Sequence, residues 1–138
     1  MTSMLLPMAA MVLLTLFIAF YMAKVRFAAI KDGQTTDLSY FKTFQGPSTE
    51  PENVQKVQRN YHNLLATPVL FYAACAAALA LGLADAILLY LAWAYVALRV
   101  VHSYVHITSN VVTVRFRIFA LSLFVLVAIW IRLVMVGI

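Results

Sequence analysis

The stretch Ala86–His106 reads AILLYLAWAYVALRVVHSYVH, and it holds no Asp, Glu or Lys. About 20 apolar residues in helical form cross the hydrocarbon of a bilayer, so this run is predicted to be a membrane-spanning helix. Its polar residues are not scattered. Arg99, His102 and His106 fall at spacings of three and four, which places them on one helix face toward one end of the span. An Arg or Lys at a helix centre costs roughly 2.5–3.5 kcal/mol even on the lenient insertion scale, so a basic face of this kind calls for a reason.

Three further runs have the same character: Leu5 to Ala23, Pro68 to Leu83, and Ile118 to Val136. With 64% hydrophobic and 11% charged residues in 138, the chain is too apolar for a soluble domain of its size. Only helices or closed barrels satisfy their backbone in lipid, and the alternating pattern of barrel strands is absent. The expected fold is therefore all-α, an integral membrane four-helix bundle forming a single domain over residues 1–138. Its helices are expected at about 4–25, 53–83, 85–107 and 114–136, with a loop over about 28–52. The first run lacks a basic leader and a cleavage signal and is read as a retained helix rather than a signal peptide. Pro68 implies a kink in the second helix, and Gly82 with Asp85 implies a tight turn before the third.

The basic residues set an orientation. Lys24, Arg26, Lys31, Lys42, Lys56 and Arg59 accompany the first long connection, and Arg115 and Arg117 the second; the tail before the first run and the Gly82–Asp85 turn hold none. The positive-inside bias then puts both connections in the cytoplasm and both termini outside. Arg132 is the exception and is expected to snorkel to the outer interface. The net charge of +5 is accordingly membrane topology and headgroup attraction, with no nucleic-acid partner implied. Cys75, the single cysteine, is expected to be a buried apolar residue with no internal disulfide open to it.

Polar residues from four spans gather at one level. Arg26 ends the first, Arg59, His62 and Asn63 open the second, Arg99, His102 and His106 end the third, and Arg115 opens the fourth. Almost no acidic residue lies within the helices, so the missing negative charge is expected from a ligand with carboxylates or phosphate. Such a cluster would also favour an ionised thiol. Lys31, Lys42, Lys56 and Arg117 read as solvated or headgroup charges. Tyr90, Trp93, Tyr95 and Trp130 read as interface and packing residues.

Two pieces, Arg59-Asn-Tyr-His-Asn63 ahead of an apolar helix and Arg99-Val-Val-His102 followed by Arg115, resemble the membrane-associated proteins in eicosanoid and glutathione metabolism, the MAPEG family. The likeness is strongest to its small bacterial branch and extends to the microsomal glutathione transferases. The resemblance implies a homotrimer in a bacterial inner membrane, with glutathione as co-substrate held at the cytoplasmic side between protomers. It assigns glutathione contacts to Arg26, Arg59, Asn63, Arg99, His102 and His106, and assigns Arg115 to stabilisation of the glutathione thiolate. No metal ligand is implied. A hydrophobic second substrate would arrive laterally from membrane lipid.

The chain departs from the family pattern in three places. Ala66 stands where relatives carry a glutamate for the amino group of glutathione, Phe119 where some carry a tyrosine, and Leu64 where many carry an acid. A glutathione-dependent transferase or peroxidase acting on lipophilic electrophiles is the first expectation. A non-catalytic membrane protein binding a lipid or small acidic ligand is the second. A b-type haem between His62 and His102 is disfavoured by the surrounding arginines. A proton-coupled transporter is disfavoured too, because its one acidic candidate, Asp85, lies in the outer turn.

Overall fold

The structure, a computed structural model, describes residues 4–138, and they are helical with no strand. In chain order the helices are α1 (Leu5–Lys31), α2 (Glu52–Ala66), α3 (Pro68–Ala80), α4 (Ala86–Ile107) and α5 (Val112–Gly137), with a short 3₁₀ turn at Leu38–Lys42. Taking α2 and α3 together, four helical stretches are long and apolar enough to cross a membrane: Leu5–Lys31, Glu52–Ala80, Ala86–Ile107 and Val112–Gly137.

The joint between α2 and α3 falls at Thr67. Pro68 follows it and opens α3, where a missing N–H matters least; inside a continuous helix it would leave the carbonyl one turn back unpaired. Just past the end of α3, Gly82 with its φ of +66° carries the chain round, and the N–H of Leu83 reaches back to the carbonyl of Ala78 at 2.9 Å. Asp85 then caps α4, its carboxylate accepting from the N–H of Leu88 at 2.8 Å. That bond, first, and the Arg132 guanidinium, second, hold the Asp85 carboxyl below its ordinary range. Arg132, expected to snorkel outward, is thus tied to Asp85 at 2.5 Å, joining α5 to the α3–α4 turn.

α1 continues to Lys31, well past the end expected near residue 25. Lys24, Arg26 and Lys31 lengthen the helix beyond its apolar run because straight-chain basic residues are good helix formers and suit a C-terminus. The connection to α2 is not a solvated tether. Its 3₁₀ turn is capped by Asp37, which accepts from the N–H of Ser39 at 2.9 Å and its hydroxyl at 2.5 Å, and these bonds lower the Asp37 pKa. Tyr40, Phe41 and Phe44 pack edge to face in this turn.

The core runs the length of the bundle. Met11 and Ile18 of α1, Leu64 of α2, Phe71 and Cys75 of α3, Tyr95 of α4, and Leu126 and Ile129 of α5 are all buried. Phe71 and Tyr95 stack at 4.8 Å between centroids. Cys75 is free and buried among alanines, as its position in an apolar run suggests. The outer faces are apolar instead of polar: Phe17, Phe20, Phe124 and Ile131 are exposed, the arrangement for a chain whose surroundings are hydrocarbon or other helices.

Candidate functional site

Five of the seven expected site residues line one cavity of about 310 Å³ at the end of the bundle where α2 begins and α4 ends. α2 contributes Arg59 and Asn63, α4 contributes His102 and His106, and α5 contributes Arg115. Helical spacing explains the set: the α2 pair and the α4 pair each lie four positions apart, so each presents one face. Phe119 forms the wall, 5.8 Å from the His102 ring, and Val112 and Phe116 form an apolar lip exposed toward the surroundings. Among the described residues, no acidic side chain lines this cavity.

Arg115 is aimed by Asn110, whose side-chain oxygen accepts from Nη1 at 2.6 Å. Asn110 sits in the α4–α5 turn with φ of +50°, a left-handed conformation that asparagine tolerates better than most residues. Lys56, expected as a solvated charge, instead donates to the carbonyl of Thr108 at 3.1 Å, fastening the start of α2 to the end of α4.

Arg99 lies behind the cavity rather than in it, with no exposed surface. Its Nη2 donates to the main-chain carbonyl of Asn63 at 3.2 Å and to the Asn63 side-chain oxygen. Its Nε and Nη1 are buried without a partner, and its Cζ stands 5.6 Å from the centroid of the Phe119 ring. The guanidinium therefore fixes Asn63 and lends positive potential to the cavity floor.

Arg26 is not brought to this cavity. It lines a separate space of about 510 Å³ on the α1 side of α2, with Tyr40, Phe44, Gln58 and His62 among its neighbours. Its Nε bonds Glu50 at 2.6 Å, and its Nη2 reaches Glu50 at 3.3 Å and Gln58 at 2.9 Å. The expectation that these cations have no anion of their own therefore fails at Arg26. The reason is the loop, which folds back so that the Glu50 side chain is only 1% exposed against α1. His62 faces this same space while His102 faces the Arg115 cavity, which separates the two imidazoles a shared haem would need.

Residues given no role from sequence complete the interior. Asn60 is fully buried and accepts from the Ser103 hydroxyl at 3.2 Å, linking α2 to α4. Tyr95 Oη and Thr67 Oγ1 are buried deeper in the bundle. Asn60 carried a signal that could have revealed it: it falls in the stripe Val54, Val57, Asn60, Leu64 that α2 buries. A polar residue within a buried stripe wants a partner.

These features define a four-span helical membrane protein with a basic, acid-free cavity at one end. The family model of the MAPEG family matches residues 4–135 of the 138, and the chain belongs to that family. No curated protein and no solved structure matches it.

Proposed function

We propose that this MAPEG protein is a glutathione-dependent membrane transferase or peroxidase acting on lipophilic electrophiles. The observation that carries the reading is the convergence of Arg59, Asn63, His102, His106 and Arg115 on a cavity with no acidic lining. Family membership supports a glutathione-related role. The volume lies at the lower end of the ~300–1,000 Å³ range of small-molecule sites.

In this reading Arg59 and Asn63 hold the peptide carboxylates, His102 and His106 supply further hydrogen bonds, and Arg99 acts as a positioning residue through Asn63. Arg115 stands beside the sulfur. A free thiol titrates near 8.5. A guanidinium about 4 Å from the sulfur contributes about 4 kcal/mol at an effective dielectric of ~20, ample to favour the thiolate at neutral pH. With an aryl halide the thiolate forms the carbon–sulfur bond, the halide departs with its electron pair, and the thiol proton goes to solvent. Val112 and Phe116 form the side from which an apolar electrophile reaches the sulfur from lipid.

The proposal includes a homotrimer in a bacterial inner membrane, with the site at the cytoplasmic face and both termini outside. Within one protomer Arg26 stands apart from the Arg115 cavity, so it would contact glutathione only from a neighbouring subunit.

The test is conjugation of a hydrophobic aryl halide with glutathione by membranes containing the protein. The expected result is glutathione-dependent product that Arg115→Ala lowers at least a hundredfold, within the range for removal of one charge-stabilising donor. Absence of product from protein that binds glutathione would favour a second reading, a non-catalytic binder of a lipid or small acidic ligand. The observation favouring that reading is Phe119, which offers its ring to Arg99 and His102 and has no hydroxyl to donate to a thiolate.

A further inference from the structure

A serine or threonine in a helix has a partner close at hand, the carbonyl three or four positions back. Thr15 and Ser122 use it, donating to Met11 at 2.9 Å and to Phe119 at 2.7 Å. Ser103 instead crosses from α4 to α2, where its hydroxyl donates to the side-chain oxygen of Asn60 at 3.2 Å. Asn60 and Ser103 are 0% and 1% exposed within one protomer, so a neighbouring subunit of the proposed trimer reaches neither.

The pair stands beside the Arg115 cavity without entering it. Asn60 adjoins Arg59 in sequence and Ser103 adjoins His102, and neither of the two lines the cavity. One turn further along, Arg99 holds Asn63 at both oxygens. Positions 60 and 63 of α2 thus meet positions 103 and 99 of α4, the order of antiparallel helices. A single point of attachment would leave α2 free to pivot on it. Two attachments a turn apart fix both its rotation and its height against α4. Apolar contact alone is non-directional and permits that movement, whereas a hydrogen bond between helices sets a register. Asn60 belongs to a buried stripe with Val54, Val57 and Leu64, and its amide nitrogen has no partner among the described residues. A valine would fill the same stripe and leave no buried donor. What asparagine adds there is direction.

We infer that Asn60 and Ser103 are positioning residues for the Arg115 cavity: their bond sets Arg59 and Asn63 of α2 against His102 and His106 of α4 at the separation a ligand needs. The inference rests on the glutathione-type reading above and deepens it by assigning what keeps that site in shape. Neither residue touches the ligand. Each acts through its chain neighbour, Asn60 on Arg59 and Ser103 on His102.

The experiment is calorimetric titration of glutathione into the purified full chain, with the thermal midpoint in detergent measured on the same samples. Ser103→Ala is expected to weaken binding roughly fivefold or more, the equivalent of one lost hydrogen bond. Asn60→Val combined with Ser103→Ala replaces both partners by apolar groups. Its thermal midpoint is expected to return toward that of the natural chain, while binding stays weakened as in Ser103→Ala. Binding that follows the thermal midpoint across both variants, falling or recovering with it, would show a purely structural role. That result would overturn the inference and leave the proposed function standing, as would unchanged binding in Ser103→Ala. Absence of glutathione binding by the natural chain would remove both. The double variant keeps the seam between α2 and α4 filled, so it decides the matter even if Ser103→Ala fails to fold.

Discussion

Arg99 of α4 and Asn63 of α2, thirty-six positions apart, are joined at both oxygens of the asparagine. One guanidinium nitrogen thereby sets the main chain and the side chain of a cavity residue together. A hydrogen bond to a charged group contributes about 1.5–3 kcal/mol, and its loss leaves the buried cation with a larger desolvation penalty. Asn63→Ala is expected to lower thermal stability in detergent by that order. Arg99→Met with Asn63→Leu is expected to recover much of it. If the double variant is less stable than Asn63→Ala, the coupling is misassigned.

Phe119 offers the sharpest separation of the two functional readings. A tyrosine there would keep the ring against Arg99 and His102 and add a donor at the cavity wall. Phe119→Tyr is expected to raise the aryl halide conjugation rate several-fold through better thiolate stabilisation. A rate unchanged within error would show that this wall does not touch the sulfur.

The Arg26–Glu50 pair holds the α1–α2 loop to the bundle, and Glu50 is nearly inaccessible there. Glu50→Gln is expected to speed amide exchange across residues 32–51 while exchange in α4 and α5 stays as in the natural chain. Faster exchange in α4 and α5 instead would mean that the pair supports the whole bundle.

At the other end, Asp85 joins the α4 cap to Arg132. Its folded pKa is lowered, so the stabilisation is present above the unfolded carboxyl value of about 3.9 and fades as pH falls through the lower folded value. Asp85→Asn is expected to flatten the acid limb of a thermal-stability profile below about pH 4, with little change near neutrality in that slope. An identical acid limb in both proteins would count against the pairing.

How much of this could be read beforehand follows from the range of each interaction. The four spans were legible because the length of an apolar run is fixed by bilayer thickness, a constraint that overrides propensity. Arg59 with Asn63, and His102 with His106, were legible as pairs because helical spacing is local. Arg26–Glu50, Lys56–Thr108 and Asp85–Arg132 were not, since 24, 52 and 47 positions separate them and loop geometry brings them together. Arg99 shares a helix face with His102 and His106, yet it is fully buried behind the cavity they line. Spacing gives a face, whereas burial of that face depends on how α2 lies across it. Asn60 lies between Arg59 and Asn63 in sequence, yet its core-facing register follows from the stripe it shares with Val57 and Leu64.

The ultraviolet thiolate absorbance of glutathione titrated into purified protein at neutral pH tests the central claim most directly. The account predicts a saturable thiolate band with the natural chain and its loss in Arg115→Gln, with binding retained through Arg59 and Asn63. Saturable binding with no thiolate band in the natural chain, or a band untouched by Arg115→Gln, would contradict it.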